Sequence, residues 1–414
     1  MKIAVIGLGF VGLVTASALA HDGNKIIGID IDKKKIDNLL HGVLPFFEPS
    51  LEKLLTKNRN NISFSTDFSL ISGSKATFII VPTPTIKNKI SLQYVFSAAR
   101  AVRKVDKSTT LVIKSTVIPG TADKIRKLTS LHVVSNPEFT REGSAVSDTL
   151  HPDRIVIGGT NKKDCELVSS IWKFTNAPVL ITSNENAELI KYGNNSLLAT
   201  LISFGNQLSN VSEKIPHTDM EIILKGMSMD KRISCCKSYL TPGIGFGGSC
   251  FPKDTKALLA LSKDLGQKMS IIEDTIKTNE ERINHIIKII KETKTKINSN
   301  LRVGILGLAF KEDTDDLRES PSIKLIKKLI KLGVGVNAYD PLVKTAPIEG
   351  PEYFSDLNSC IDNSDLLIIA NRSKEFIKIE KMNIKIPVID GRRLLNKDKI
   401  KNYIAIGLSR AKKR

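Results

Sequence analysis

The sequence contains no long hydrophobic run. None of its apolar stretches approaches the roughly 20 residues that a membrane helix needs, so we expect no membrane span. Cysteine is scarce: there are five in 414 residues, an odd number with no C-x-x-C pair and no histidine at metal-ligand spacing. This pattern argues against a disulfide framework and against a structural zinc site, and we predict no bound metal.

Aromatic residues are also few, at 5% of the chain. Their scarcity matters for interpreting the strong positive charge, because basic surfaces that bind nucleic acids often interleave aromatic and basic residues. The formal net charge is +19, but the lysines are spread over the whole chain and are not interleaved with aromatic residues along one stripe. We therefore predict no nucleic-acid partner and interpret the lysines as a solvated surface. A basic cleft would still attract phosphate-bearing substrates.

The length of 414 residues is enough for two or three domains, because a domain typically has about 150 residues. With 41% apolar and 25% charged residues, the composition is typical of a soluble, globular protein. We expect a cytoplasmic location.

Short apolar runs that end in glycine or polar residues recur through the first half of the chain. Such runs are typical of buried parallel strands, and they alternate with helical stretches such as Val11–Ala20. The predicted strands are Ile3–Gly7, Lys25–Asp30, Thr77–Val81, Leu111–Lys114, His132–Ser135 and Arg154–Ile157. The alternation predicts an α/β domain over residues 1–190, with a doubly wound parallel sheet.

Helical periodicity from Ala187 to Gly226 and from Thr255 to Ile290 predicts a central helical region over residues 191–300, ending in a polar linker at Lys291–Asn300. The strand pattern then returns. Its predicted elements are the strands Leu301–Leu308, Val334–Tyr339, Asp365–Ala370 and Pro387–Asp390 and the helix Ile323–Leu332. We predict a second, Rossmann-like α/β domain over residues 301–414, with a frayed tail at Ser409–Arg414.

The segment Gly7–Gly12 matches the pattern G-x-G-x-x-G directly after a predicted strand and at the start of a predicted helix. In this setting Gly7 permits a tight turn, Gly9 lets the backbone approach a pyrophosphate, and Gly12 allows close packing of helix and strand. Asp30, at the end of the next strand, would bind the adenosine ribose and favours NAD over NADP. Lys33–Lys35 leave NADP open.

A glycine-rich loop, Pro242–Asp254, has four glycines in the eight residues before Cys250. Such a loop lets the backbone approach a ligand closely. Cys250 is followed by Lys253 and Asp254, and an ammonium group nearby would lower the pKa of the thiol. We predict a nucleophilic Cys250 and packing roles for the other cysteines, Cys165, Cys235, Cys236 and Cys360.

A cysteine close to a hydride acceptor indicates a particular chemistry. The thiol adds to an aldehyde, the resulting thiohemiacetal is oxidised to a thioester, and hydrolysis releases a carboxylate. Each oxyanion formed on this route needs preorganised hydrogen-bond donors. Together, the two motifs predict the conversion of an alcohol to a carboxylate in two oxidations.

Several motifs together resemble those of the UDP-glucose 6-dehydrogenase family, within the wider UDP-glucose/GDP-mannose dehydrogenase superfamily. The resemblance covers nearly the whole chain. Besides the glycine fingerprint and the cysteine loop, it rests on Val81–Pro84, Ser115–Thr121, Asn136–Gly143, Ala187–Asn195 and Gly307–Pro321.

The resemblance implies that UDP-glucose, two NAD and water give UDP-glucuronate and two NADH. The residue roles that it implies are a nucleophile at Cys250, oxyanion stabilisation by Lys191 and Asn195, a water ordered by Thr116 and Asp254, thioester hydrolysis assisted by Glu142, and support of the substrate loop by Glu138. Lys191 and Asn195 are four residues apart and would share one helix face. Taken alone, they could also form a solvated face, and Glu138 and Glu142 could be surface charges.

The implied binding residues form two sets. For NAD they are Gly7, Gly9, Val11, Gly12, Asp30, Lys35, Thr83, Thr116, Glu142, Lys253 and Arg318. For UDP-glucose they are Glu138, Phe139, Thr140, Arg141, Lys191, Asn195, Tyr239, Leu240, Thr241, Pro242, Gly243, Gly247 and Lys311. Lys311 would neutralise the diphosphate, and Arg232 and Arg392 are further candidates for phosphate or neighbouring-subunit contacts.

The resemblance also implies an active site between the two α/β domains and a homodimer or larger homo-oligomer. Three alternatives remain open: the same chemistry on GDP-mannose or a UDP-N-acetylhexosamine, a two-electron hydroxy-acid dehydrogenase, and a basic binding protein without activity. A hydroxy-acid dehydrogenase would have no use for Cys250 or for the second α/β domain.

Overall fold

A computed structural model describes residues 1–86, 89–293 and 300–410. Residues 294–299 of the predicted linker and residues 411–414 of the predicted tail lie outside this part. The chain divides into two compact units, Met1–Asn194 and Asn195–Arg414. Within the described residues, no helix combines the length and the apolar character needed to cross a membrane.

The described part of the first unit contains one large sheet and a small hairpin. The strands are β1 (Lys2–Ile6), β2 (Lys25–Ile29), β3 (Ile62–Ser65), β4 (Ala76–Ile79), the hairpin strands β5 (Thr85–Ile86) and β6 (Lys89–Ile90), β7 (Thr110–Ile113), β8 (His132–Ser135), β9 (Ile155–Gly159) and β10 (Val179–Thr182). The order in the large sheet is β10-β9-β8-β7-β4-β1-β2-β3.

The helices of the first unit cover both faces of this sheet. They are α1 (Phe10–His21), α2 (Lys33–Leu40), α3 (Leu51–Lys57), α4 (Gln93–Val105), α5 (Thr121–Thr129), α6 (Ala145–Leu150), α7 (Lys162–Ile171) and the start of α8 (Asn184–Ser212), with 3₁₀ helices at Arg59–Asn61, Phe68–Ile71 and Lys173–Thr175. In β1, Ile3 and Val5 join one apolar cluster and Ala4 and Ile6 join another. Since successive side chains of a strand point to opposite faces, both faces are buried.

The predicted doubly wound α/β fold of the first domain is confirmed, with one difference in strand direction. β8 and β9 pair antiparallel, whereas the other neighbours in the large sheet are parallel. The short α6 connects β8 to β9 without a crossover that would restore the parallel direction.

The second unit contains helices followed by a second sheet. The helices after α8 are α9 (Met220–Met227), α10 (Lys231–Ser234), α11 (Lys237–Leu240), α12 (Phe251–Asp264), α13 (Ser270–Thr293), α14 (Pro321–Lys331) and α15 (Leu357–Asp362), with 3₁₀ helices at Lys374–Lys381 and Lys397–Lys399. The strands are β11 (Arg302–Leu306), β12 (Gly335–Tyr339), β13 (Glu352–Tyr353), β14 (Leu366–Ile369), β15 (Val388–Asp390) and β16 (Tyr403–Ala405).

The second sheet has the order β13-β12-β11-β14-β15-β16 and is parallel at every pairing among the described residues. In β14, Leu366 and Ile368 belong to one apolar cluster, and Leu367 and Ile369 belong to the other. This sheet is therefore buried on both faces, and the predicted second Rossmann-like domain is confirmed.

The predicted helical stretch Ala187–Gly226 is not continuous, which corrects the sequence analysis. Helix α8 ends at Ser212 and α9 begins at Met220. Pro216 disfavours helix at the residue before it, and Asp219 starts α9 by accepting a hydrogen bond from the backbone N–H of Glu221 at 2.9 Å. The stretch Thr255–Ile290 is likewise interrupted between α12 and α13, near Gly266, which has a φ of +69°.

Candidate active site

The glycine motif of the first unit lies where β1 ends and α1 begins. Gly7 has a φ of +93°, and a Cβ there would lie 2.4 Å from the carbonyl oxygen of Ile80. A Cβ at Gly12 would lie 1.8 Å from the carbonyl oxygen of Gly7, so helix and turn pack too closely for any side chain. Gly9 precedes the first residue of α1, and a Cβ there would meet nothing within 4 Å. The open backbone at the helix N-terminus fits a pyrophosphate.

Asp30 follows β2 and faces the same turn. One of its carboxylate oxygens accepts hydrogen bonds from the backbone N–H of Leu8 and from Nζ of Lys35, both at 2.8 Å, and the other accepts from the N–H of Asp32 at 3.0 Å. The carboxylate is thereby fixed at the strand end, where the fingerprint places the ribose contact. Val11 lies half-buried in the first turn of α1, and Thr83 is buried in the segment after β4.

The loop after β8 brings Glu138 against Lys191 of α8. The Lys191 ammonium donates to the Glu138 carboxylate at 2.8 Å, and the two side chains are only 3% and 7% exposed. Burial alone would raise the pKa of Glu138, but the charge of Lys191 and the hydrogen bonds from Lys191 and Thr140 outweigh it and lower this pKa to about 2. Glu138 is thus a charged carboxylate at neutral pH.

The predicted substrate residues Phe139 to Arg141 follow in the same loop. The Phe139 ring lies 4.0 Å from the guanidinium carbon of Arg154 and 5.5 Å from Nζ of Lys191. Arg141 is exposed and forms a bidentate ion pair with Asp148. Its guanidinium is therefore held by the Asp148 carboxylate.

Three buried side chains that the sequence analysis missed hold this region in place. The Glu48 carboxylate accepts hydrogen bonds from the backbone N–H groups of Gly143 and Ala145, each at 2.7 Å, and so fixes the segment that contains Glu142. Lys114 donates to Asn136 at 3.3 Å and lies over the Trp172 ring, and burial lowers the pKa of Lys114 to about 8, although the charge of Glu138 opposes this shift.

The third is Glu188, on α8 one turn before Lys191. It accepts hydrogen bonds from the backbone N–H groups of Gly120 and Ala122. Thr116, half-buried between β7 and α5, lines a small pocket together with Glu188 and Lys191.

In the second unit, Asp254 is the centre of a polar cluster on α12. Its side chain is 0% exposed. Asn195, near the middle of α8, donates to one carboxylate oxygen at 2.6 Å, and Lys253 donates to the other at 2.5 Å. The sequence analysis placed the Lys253 ammonium beside the cysteine, but the described contact of this ammonium is with Asp254.

Cys250 is the residue immediately before α12, a helix of 14 residues. The thiol is partly exposed and lies 3.5 Å from the Ser249 hydroxyl. Unpaired N–H groups and the positive end of a helix dipole stabilise a thiolate at such a position.

The loop that leads to Cys250 is clamped by polar side chains of α8 and α13. Asn206 accepts from the N–H of Gly243 at 2.8 Å, and Arg282 donates to the carbonyl oxygen of Gly243 at 2.6 Å. Asn279 forms two backbone hydrogen bonds with Phe246, at 2.8 and 3.0 Å. The predicted substrate residues Tyr239 and Leu240 lie on α11, and Thr241 and Pro242 follow it directly.

Gly247 has a structural requirement in addition to its predicted ligand contact. A Cβ at this position would lie 2.5 Å from the carbonyl oxygen of Glu319. The next N–H, that of Gly248, donates to the carbonyl oxygen of Arg318 at 2.9 Å. The cysteine loop is thereby packed against the segment that carries the two predicted residues Lys311 and Arg318.

This segment follows β11 and repeats the turn of the first unit. Gly307 has a φ of +101°, and the N–H of Leu308 donates to Asp340 at 2.7 Å, just as Leu8 donates to Asp30. Lys311 is half-buried in the segment. Arg318 is exposed and forms a bidentate ion pair with Asp316.

The remaining cysteines and the two further arginine candidates differ in their exposure and in their contacts. Cys165 and Cys360 are buried, as predicted, but Cys235 is exposed, and Cys236 is partly exposed with its sulfur 3.4 Å from that of Cys235. The prediction of a packing role is wrong for the exposed Cys235 but confirmed for Cys236, which packs against the apolar cluster of Met220, Leu224 and Leu240. Arg232 is exposed and paired with Asp230, whereas a Cβ at Gly243 would lie 2.5 Å from the guanidinium of Arg392.

Three domain models of one protein family match consecutive parts of the chain. They are the NAD-binding domain of the UDP-glucose/GDP-mannose dehydrogenase family at residues 1–176, the central domain at 185–281 and the UDP-binding domain at 304–397. The chain belongs to this family. As a UDP-glucose/GDP-mannose dehydrogenase, it is an NAD-dependent oxidoreductase with a UDP-sugar domain.

Individual members of the family match over nearly the full length. The UDP-glucose 6-dehydrogenase TuaD of Bacillus subtilis is 38% identical over 95% of this chain and 90% of its own length. A GDP-mannose 6-dehydrogenase of Pseudomonas putida is 32% identical over 91% and 92%. The solved structure of a UDP-glucose dehydrogenase from Pyrobaculum islandicum is 32% identical, with a TM-score of 0.92 over 99% of this chain and 98% of that one.

Proposed function

We propose that this chain oxidises UDP-glucose to UDP-glucuronate in the cytoplasm, with reduction of two NAD, through a covalent intermediate on Cys250. The observation that carries the proposal is the position of Cys250 at the N-terminus of α12, one helical turn before the fully buried Asp254. A thiolate is stabilised at the first position, and an acceptor of protons from water is held rigidly at the second.

NAD, when held on the Gly7–Gly12 turn, would accept the two electrons of each oxidation. The open N-terminus of α1 at Gly9 and the fixed carboxylate of Asp30 would hold its pyrophosphate and its ribose. The protein must supply the nucleophile, the proton acceptors and the oxyanion donors for the sugar.

The first oxidation converts the C6 alcohol to an aldehyde, and its proton leaves through a water ordered by Thr116 and Asp254. The Cys250 sulfur then bonds to the aldehyde carbon to give a thiohemiacetal, whose oxidation yields a thioester. Water breaks the carbon–sulfur bond with help from Glu142, which releases the carboxylate and restores the thiol. UDP-glucose, two NAD⁺ and one water thus become UDP-glucuronate, two NADH and three protons.

Lys191 and Asn195 are suited to stabilise the oxyanions. The Lys191 ammonium is buried and is oriented by its 2.8 Å contact with the Glu138 carboxylate. The Asn195 side-chain amide is oriented by its 2.6 Å hydrogen bond to the Asp254 carboxylate. Donors that are already fixed before the reaction lose no energy to reorganisation, which is why such groups are effective in catalysis.

The choice of UDP-glucose over GDP-mannose rests on similarity, since the Bacillus subtilis UDP-glucose enzyme shares 38% of its residues and the Pseudomonas putida GDP-mannose enzyme 32%. The two-electron hydroxy-acid dehydrogenase is not favoured, because the match extends over the central and UDP-binding domains.

The stoichiometry tests this function directly. With limiting UDP-glucose and excess NAD, we expect two NADH per sugar, measured by absorbance, and no release of free aldehyde. GDP-mannose and UDP-N-acetylglucosamine serve as parallel substrates. One NADH per sugar would contradict the covalent double oxidation. If GDP-mannose gave two NADH and UDP-glucose gave none, GDP-mannose would be the substrate in place of UDP-glucose.

We also propose that the chain works as a homodimer or larger homo-oligomer through α8. Three of its apolar side chains, at spacings of seven residues, are strongly exposed: Leu197 at 60%, Phe204 at 49% and Val211 at 56%. Seven residues are close to two helical turns, so the three form one apolar stripe.

Replacing Phe204 by glutamate is expected to shift the mass measured by light scattering to that of a monomer, because a charge would enter an apolar interface. The matched control is Lys225→Glu on α9, an exposed position outside the stripe. An unchanged mass for Phe204→Glu would exclude this stripe as the interface.

A further inference from the structure

Glu188 is a buried carboxylate for which the proposed chemistry has no use. Glu188 lies on α8, one turn before Lys191, and the residue is only 3% exposed. Its two oxygens accept three hydrogen bonds, from the N–H of Gly120 at 2.6 Å, from the N–H of Ala122 at 2.9 Å and from the Ser135 hydroxyl at 3.2 Å.

These three donors belong to the two segments that carry other proposed site residues. Gly120 and Ala122 are at the start of α5, directly after the segment that contains Thr116. Ser135 is the last residue of β8 and precedes the loop of Glu138 by three residues. One carboxylate therefore joins the helix of Lys191, the loop of Thr116 and the strand end that leads to Glu138.

A second contact supports the same connection. Asn184, the first residue of α8, accepts a hydrogen bond from the backbone N–H of Ser135 at 3.0 Å. Thr116, Glu188 and Lys191 all line the same small pocket. The Glu188 carboxylate therefore lies beside Thr116 and Lys191, whose relative positions the proposed chemistry depends on, and not in a remote part of the core.

Keeping a carboxylate at this depth has a cost. Burial raises the pKa of Glu188 to about 7, although the hydrogen bonds from Ala122, Gly120 and Ser135 act in the opposite direction. The N-terminus of α5 favours a negative charge, but a simple cap could be made by a serine or asparagine without burying an ionisable group.

We propose that Glu188 is a positioning residue for the oxidation, which fixes Thr116 relative to Lys191 and Glu138 by holding the loop between β7 and α5. This inference rests on the proposed function, in which Thr116 orders the water that receives the alcohol proton. In this role Glu188 acts through its hydrogen bonds to Gly120, Ala122 and Ser135 and not through a contact with the substrate.

The test combines Glu188→Ala with Thr116→Ala. Glu188→Ala is expected to lower kcat about 30-fold or more while the Kd values of UDP-glucose and NAD change less than about threefold, because the loop and not the binding surface is released. In the Thr116→Ala background the same change should cost less than about threefold, since the residue through which Glu188 acts is already lost. Glu188→Gln keeps one acceptor oxygen and should recover part of the lost kcat.

The control is Glu185→Ala, which removes an exposed glutamate from the first turn of the same helix and should leave kcat unchanged. If Glu188→Ala does not fold, the Gln variant is compared in both backgrounds. Fully additive losses for Glu188 and Thr116, or an unchanged kcat, would overturn the inference. If the wild type oxidises another nucleotide sugar, the proposed substrate fails, and the same coupling is then measured with that sugar.

Discussion

Cys250→Ala should lower the rate of NADH formation from UDP-glucose by at least about 10³-fold, the usual scale for loss of a covalent nucleophile. Without the sulfur, no thiohemiacetal forms, and the second oxidation has no bound intermediate to act on. The variant should bind NAD as the wild type does, because Cys250 lies directly before α12 in the second unit and the glycine turn lies in the first. Steady-state kinetics and calorimetric NAD titration measure the two effects.

Two variants sharpen this prediction. Cys250→Ser keeps the size of the side chain but is a much weaker nucleophile, so its activity should stay close to that of alanine. Cys235→Ala removes an exposed thiol elsewhere in the second unit and should leave turnover unchanged. If Cys250→Ala kept a rate within about tenfold of the wild type, the covalent route would be wrong and the two-electron alternative would regain support.

The strands and the glycine turns were predictable because their signals are local. The run from Ile3 to Gly7 ends in a residue with positive φ, and the structure accordingly places the last strand residue at Ile6. The reversed direction of β9 was not predictable in this way, because strand direction depends on how α6 packs and not on the residues of the strand. The break after Ser212 was visible, since Pro216 and the capping residue Asp219 are both in the sequence.

The residue types of the site were predictable from the sequence, but the contacts between their side chains were not. Glu138 and Lys191 are 53 residues apart, and no local pattern brings them together. Glu188 was missed because a glutamate on a helix is usually solvated. Its spacing contained a signal: Ala187, Glu188 and Lys191 recur at intervals of three and four residues, which is the pattern of a buried helix face, and the structure buries all three.

The Glu138–Lys191 pair should show separate effects on stability and on catalysis. Lys191→Met leaves a buried carboxylate without its partner and should lower the free energy of unfolding by about 3 kcal/mol at pH 7. It should also lower kcat by about 10²-fold or more, because an oxyanion donor is lost. Urea unfolding and steady-state kinetics measure the two quantities.

The double variant Lys191→Met/Glu138→Gln serves as the control. It replaces the ion pair by neutral groups of similar size, so most of the lost stability should return. The activity should not return, because neither methionine nor glutamine supplies a positive charge to the oxyanion. Recovery of both would make Lys191 a structural residue only and would leave Asn195 as the proposed donor.

The pH dependence of unfolding gives an independent measure of the same pair. The native pKa of Glu138 is lowered to about 2 from an ordinary value of 4.5, so this carboxylate binds protons more readily in the unfolded chain. Its contribution, about 3 kcal/mol by linkage, is complete above pH 4.5 and is lost as the pH falls towards 2. Lys191→Met should therefore flatten the loss of stability between pH 5 and pH 3 relative to the wild type, and parallel curves for the two proteins would show that Lys191 does not hold Glu138 in its charged form.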